Sequence, residues 1–269
     1  MQNSSIFTTL KMVADLNRCF GNKPWHEIAG DKNTYHSYLN GQVSLIIEEM
    51  YEELGDAVKA GDVDLTAMLD AIGDSITVID GLAHKAGLES FIAEHCDVVA
   101  FLQKAPPVPF HIKEFQNIPQ YVHDQEIGRL AFELWRWHRT FIEAFSIEWG
   151  FDPLKVYKEV HESNMSKFCS NRGEVAATLD KYSTQYGLSS VVFTEGYESG
   201  KTDLLVVNPA LDLRVEEVNG IYVIKTNREI KMGEKVVKAG KFLKGINFKE
   251  PDFSEPARFT FNSMVLPTL

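Results

Sequence analysis

The sequence predicts a mainly α protein: a helical body over roughly residues 1–168, then a small β-rich appendage and a tail. Three observations lead there. Apolar residues recur at helical spacing in several long segments before residue 168. From about residue 185 the pattern changes to short period-2 runs such as Leu204-Leu205-Val206-Val207. Asn219-Gly220 then separates two such runs, the strongest short-range signal for a two-residue hairpin turn of type I′.

Length and composition set the frame. The chain has 269 residues, 44% apolar and 24% charged, enough for one large domain or two small ones. Its net charge of −11 argues against a nucleic-acid polymer or an anionic membrane as partner, because both demand a basic footprint. A single nucleotide is not excluded, since bound cations bridge acidic residues to phosphate. The three cysteines, Cys19, Cys96 and Cys169, are far apart and form no CxxC, which reads as reduced thiols and a cytoplasmic setting. Met1-Gln2-Asn3-Ser4-Ser5 lacks the basic start and apolar core of a signal peptide. No apolar run approaches the roughly 18 residues of a membrane span.

In chain order, Leu10, Val13, Leu16 and Phe20 mark a first helix, stopped by Gly21-Asn22-Lys23-Pro24. A second helix runs from about residue 38 to 59 and breaks at Ala60-Gly61-Asp62. A third covers about 65–85, with the stripe Met68, Leu69, Ile72, Ile76, Ile79 and Leu82. Residues 91–102 read as helix until Pro106-Pro107-Val108-Pro109 interrupts, and 103–123 read as loop. An aromatic-rich amphipathic helix spans about 125–149 through Leu130, Phe132, Leu134, Trp135, Trp137, Phe141 and Phe145. Pro153 opens a last helix that ends in Ser163-Asn164-Met165-Ser166-Lys167. Strands are expected at 190–193, 204–207, 214–218, 221–225 and 235–237.

Glu48-Glu49-Met50-Tyr51-Glu52-Glu53 carries the candidate chemistry. On a regular α-helix its four carboxylates share an arc of about 140°. Glu49 and Glu52 are then neighbours at i,i+3, and Glu48 and Glu52 at i,i+4, repelling by roughly 0.2–0.5 kcal/mol per pair. A divalent cation is the usual compensation. The third helix presents Asp70 and Asp74 at i,i+4. Two antiparallel helices joined by a short turn set this pair opposite the glutamates, and four carboxylates from facing helices form a more specific signal than either pair alone. The competing reading is a solvated acidic face.

These residues resemble the all-α nucleoside triphosphate pyrophosphohydrolases, the superfamily of MazG, the phosphoribosyl-ATP pyrophosphohydrolases and the dimeric dUTPases. The resemblance rests on Leu45-Ile46-Ile47-Glu48-Glu49-Met50-Tyr51-Glu52-Glu53-Leu54, on Ala60-Gly61-Asp62 and on Leu69-Asp70-Ala71-Ile72-Gly73-Asp74. Glu49-x-x-Glu52 fits the family's first helix. The second half departs from the common Glu-x-x-Asp: Ala71 stands three before Asp74, and the acid is Asp70, as in phage-type members. Val160-His161-Glu162-Ser163-Asn164-Met165-Ser166-Lys167 is similar to the closing helix of those members. Gly240-Lys241-Phe242-Leu243-Lys244-Gly245 through Asp252 is similar to their Gly/Lys-rich C-terminal segment. Against compact members, 88–149 looks like a helical insertion in a catalytic domain of residues 1–168. Residues 169–237 look like a β-rich insertion, and 238–269 like a tail folding back on the active site.

The resemblance implies an all-α bundle that cleaves a (deoxy)nucleoside triphosphate to the monophosphate and pyrophosphate. It assigns Mg²⁺ or Mn²⁺ to Glu49, Glu52, Asp70 and Asp74, and makes Glu48 or Glu53 the general base. Asn164 and Lys167 become contacts for phosphate or sugar, with Lys241 and Lys244 on a flap over the phosphates. It further implies a homodimer or homotetramer and a role in dNTP pool control, in the host cytoplasm if phage-encoded, with dUTP, dCTP, dGTP or dATP as substrate. Two rival readings stand beside it. One is an HD-type phosphohydrolase built on His123-Asp124 with histidines drawn from His84, His95, His111 and His138. The other is a non-catalytic nucleotide-binding helical protein.

Overall fold

The computed structural model describes residues 3–28, 32–59, 63–95, 124–190 and 210–254. Contacts divide the chain into two units. The first takes Met1–Arg18, Asn22–His161 and Pro251–Leu269, the second Cys19–Gly21 and Glu162–Glu250. The described residues are mainly helical, with small antiparallel hairpins toward the C-terminus.

In the first unit, α1 is Asn3–Cys19, α2 Lys32–Ile46, α3 Leu54–Ala57, α4 Leu65–Lys85, α5 Glu89–His95 and α6 Asp124–Glu148. Helix α7 is Pro153–Met165, counted with this unit through His161. Between α2 and α3 the chain widens into a π-helical turn, Ile47–Glu53. This differs from the regular α-helix expected there. The wide turn covers the acidic stretch, so the angular bookkeeping of an α-helix does not apply to it.

Helix α4 organises this unit. Asp64 starts it as an N-cap in extended conformation, accepting a hydrogen bond from Ala67 N at 3.0 Å. The expected stripe of Met68, Leu69, Ile72, Ile76, Ile79 and Leu82 is buried, and from Met68 to Lys85 burial extends to nearly every face. A helix buried this fully is covered by several neighbours, here α2, the π-turn, α3 and α6. Each fully buried Ile or Leu contributes about 1.5–3 kcal/mol of transfer free energy. Two glycines allow the close approach. A Cβ on Gly73 would lie 2.3 Å from Val160 Cγ2 of α7. A Cβ on Gly81 would lie 2.8 Å from Gln42 Nε2, the group that donates to Val78 O at 2.8 Å.

The buried charge on α4 is compensated from α6 and α1. Asp80 is fully buried and accepts from Trp135 Nε1 at 2.9 Å and from Thr9 Oγ1 at 3.0 Å. Arg139 Nε lies 3.6 Å from Asp80 Oδ1, an ionic contact, and Arg139 Nη2 lies 2.9 Å from Glu143 Oε1 and donates to Thr9 Oγ1 at 2.9 Å. This network selects the inward face of α6. Trp135, Arg139, Glu143 and Ser146 are the buried face of α6 together with Leu134 and Ile142. Trp137, Phe141, Phe145 and Trp149 form a ladder with successive ring centroids 6.0, 6.0 and 5.9 Å apart; Phe141 is exposed, and the other three are half-buried against the core. A charged α4 needs polar neighbours inside, so part of the buried face of α6 is polar.

In the second unit, α8 is Arg172–Tyr186, β1 Leu213–Val218, β2 Ile221–Thr226, β3 Ile230–Met232 and β4 Lys235–Val237. The hairpin turn is as expected. Asn219 and Gly220 both have positive φ, 53° and 80°, and Val218 pairs with Ile221. The strands expected at 191–193 and 204–207 lie outside the described residues. Two boundaries and the content differ from the expected domains. The unit starts at Glu162, it contains a helix as well as hairpins, and residues 238–250 belong to it. Helix α8 has its own signals. Asn171 Oδ1 accepts from Glu174 N at 2.9 Å, Glu174 accepts from Ser170 N at 2.7 Å, and Gly187 closes the helix at φ 66°.

Gly73→Ala is expected to lower the unfolding free energy by about 1–3 kcal/mol, because the new methyl must displace Val160. Gly55→Ala, where a Cβ meets nothing within 4 Å, should raise it by about 0.5–1 kcal/mol. Urea titration of both variants checks the pair.

Candidate functional site

The carboxylates that the sequence singles out gather around Glu49 of the π-turn. This side chain is half-buried, and its Oε2 is buried with no hydrogen-bond partner. Burial pushes the Glu49 carboxyl up to about 8, and Asp74, Glu53 and Glu48 push it the same way as like charges. Once protonated, Glu49 donates to the Glu53 carboxylate, which raises its pKa further. Asp74 is half-buried on α4, and Glu48 and Glu53 are exposed. Glu52 is exposed and Asp70 half-buried. The structure therefore brings Glu49, Glu53, Asp74 and Glu48 together. Of the glutamates in the turn, Glu53, at i,i+4, and Glu48 act on Glu49 as like charges.

Local structure explains the grouping. The Leu54 amide donates to Glu49 O, five residues back, which defines the wide turn. The π-turn packs on α4, and the close contact of Gly73 with Val160 fixes α4 against α7 one residue before Asp74. From α7, Tyr157 lies fully buried with its hydroxyl 3.3 Å from His161 Nδ1. Burial raises the Tyr157 pKa far above the phenol range. Asp80 and Asp74 add to the rise, while a hydrogen bond with Thr77 opposes it.

As a donor set, carboxylate oxygens suit a hard divalent cation. The buried, unpartnered Oε2 of Glu49 is the observation that fits one. Among the described residues, no three carboxylate, imidazole or thiol side chains are placed so that they could hold a metal ion. Gathering ligands would require the Glu49 proton to leave and Glu53 to turn from its hydrogen bond.

The cationic candidates belong to the second unit. Lys167 Nζ donates to Asn164 Oδ1 at 2.5 Å. Lys241 is exposed, and Lys244 pairs with Glu250 at 3.0 Å and lies 3.8 Å from the Phe248 ring centroid. The main chain bearing these lysines is stitched into its unit and is not a free flap. Gly240 N donates to Thr226 O, Leu243 N to Ile224 O, Gly245 N to Lys167 O, Ile246 N to Thr178 Oγ1 and Lys249 N to Ser166 Oγ, all at 2.8–2.9 Å.

For the HD-type reading, His123 and His111 lie outside the described residues. His84 and His138 have both ring nitrogens engaged. His84 contacts Glu89 Oε1 at 2.9 Å and Asn22 O at 3.1 Å, while His138 contacts Leu134 O at 2.7 Å and Tyr51 Oη at 3.2 Å. Sequence reasoning missed the Tyr51–His138 contact. A tyrosine among four glutamates was the available signal.

No protein-family model matches the chain, and no solved structure matches it. The chain is similar to an uncharacterized protein, L479, of Acanthamoeba polyphaga mimivirus. The two are 27% identical over 284 aligned residues, covering 94% of this chain and 97% of the relative.

Burial lowers the His138 pKa to about 4, below the unfolded value of about 6.5. Above the unfolded pKa neither state binds the proton. As pH falls toward 4 the unfolded state takes it up and the folded state does not, so stability is lost in that window. Between about pH 7.5 and about pH 5, the wild type should lose about 2 kcal/mol more than His138→Gln. Urea unfolding at both pH values measures the difference, and equal losses would contradict the assignment.

Proposed function

We propose that this chain is a divalent-cation-dependent nucleoside triphosphate pyrophosphohydrolase of the all-α type, acting on free nucleotides in dNTP pool control. The observation that carries the reading is Glu49, a carboxyl half out of water, crowded by three like charges, with one oxygen buried and unpartnered. Such strain is costly in a purely structural residue and is offset by a cation. The motif resemblance of Glu48–Glu53, Asp70–Asp74 and Ser163–Lys167 supplies the reaction class.

In this reading Glu49, Glu53 and Asp74 hold Mg²⁺ or Mn²⁺, with Glu52 and Asp70 completing the oxygen set. When bound, the cation screens the triphosphate charge and makes water a better nucleophile. Water attacks the α-phosphorus, the bond from that phosphorus to the bridging oxygen breaks, and pyrophosphate leaves with the bond's electron pair. Glu48, exposed and next to Glu49, takes the proton from the attacking water. Asn164 and Lys167 supply an amide and a cation for sugar and phosphate, as the resemblance assigns. Lys241 and Lys244 carry the same role, and Lys244 must leave Glu250 to perform it. The protein works as a homo-oligomer in the cytoplasm.

Incubation with a panel of dNTPs and Mg²⁺ or Mn²⁺ should release pyrophosphate and a monophosphate from at least one of them. Glu49→Gln and Asp74→Asn should each lower turnover by ~100-fold or more with the fold intact, and Glu52→Gln by less than ~10-fold. No pyrophosphate from any nucleotide, or wild-type turnover in both of the first two variants, would overturn the proposal.

A further inference from the structure

Tyr51 sits in the middle of the acidic turn and is 47% exposed, yet its hydroxyl is not left to solvent. It lies 3.2 Å from Nε2 of His138, a residue of α6 with no exposed surface. The two rings meet edge to face with centroids 5.9 Å apart. The tautomer follows from the other nitrogen. His138 Nδ1 lies 2.7 Å from the Leu134 carbonyl, which only accepts, so Nδ1 carries the proton and Nε2 presents a lone pair. The Tyr51 hydroxyl is therefore the donor. Trp137 stacks edge-on against the same imidazole at 4.7 Å, fixing its plane.

This contact ties the π-turn to α6 at its fifth residue. A π-turn is a rare, strained alternative to the α-helix, and it persists only where surrounding structure favours it. Nothing in Ile47–Glu53 forces it locally, since the stretch has no glycine or proline. Relaxing to α geometry would move the Leu54 amide from the Glu49 carbonyl to that of Met50. It would also rotate Glu53 relative to Glu49 and change what each presents to Asp74.

We propose that Tyr51 and His138 are positioning residues: their hydrogen bond holds the acidic turn in π geometry and thereby keeps Glu49 and Glu53 aligned with Asp74 for cation binding. The cation part of this inference rests on the function proposed above. The conformational part does not.

The test uses Tyr51→Phe in the full chain. The exposed position and the retained ring keep folding out of the question. Two readouts are taken. Through-hydrogen-bond scalar coupling in the cation-free protein identifies the carbonyl that accepts from the Leu54 amide. Calorimetric titration with Mn²⁺ alone measures affinity. The expected result is transfer of the Leu54 bond from the Glu49 to the Met50 carbonyl and an approximately tenfold weaker Mn²⁺ affinity. Retention of the Glu49 bond together with wild-type affinity would overturn the inference. A transferred bond in a chain whose wild type binds no Mn²⁺ would uphold the positioning of the turn and reject the cation reading alone.

Discussion

A buried helix that carries aspartates must have their charge compensated, and that constraint on α4 shapes the first unit. Asp80 and Asp74 meet it in different ways. Asp80, deep in the core, receives the Trp135 and Thr9 hydrogen bonds and the Arg139 guanidinium. Burial still raises its pKa, opposed first by Arg139. Asp74, two turns earlier, faces the acidic turn, where the groups acting most strongly on Glu49 are carboxylates. The same helix thus solves its charge internally at one end of its buried stretch and gathers further negative charge at the other. That contrast separates a structural ion pair from a candidate ligand set.

The compensation at Asp80 has a cost on α6. Arg139, Glu143 and Ser146 occupy buried positions that apolar side chains would otherwise fill, and the Trp137–Phe141–Phe145–Trp149 ladder is only half-buried, with Phe141 exposed. The same helix reaches the acidic turn through buried His138, which contacts the Tyr51 hydroxyl and the neighbouring Trp137 ring. Core electrostatics and the geometry of the candidate site are therefore linked through one helix. The wide turn gives this linkage a discrete form, since an amide bonds either four or five residues back.

Elements specified by local signals were legible in the sequence. The α4 stripe and the Asn219-Gly220 hairpin follow from spacing and turn chemistry, and both stand where those signals place them. Helix α8 was equally legible through Asn171, Glu174 and Gly187, but the weak apolar periodicity of Arg172–Tyr186 hid it. The orientation of α6 was not legible, because Arg139 faces inward only on account of Asp80, a residue on another helix. The π-turn was not legible either. Its cause is a tertiary contact, and its residues all have acceptable α propensity. Glu49 and Asp74 stood out by pattern alone, whereas the action of Glu53 on Glu49 is seen only in the structure.

The central claim is that the negative charge gathered at Glu49 is there to be met by a cation. The most direct measurement is a side-chain carboxyl ¹³C titration of Glu49 by NMR, with and without Mg²⁺. Without the ion, the midpoint should lie near the value of about 8 that burial and its three carboxylate neighbours impose. With saturating Mg²⁺ it should fall by about 2 pH units or more, as a coordinated carboxylate gives up its proton. A midpoint that stays in place when Mg²⁺ is added would contradict the account.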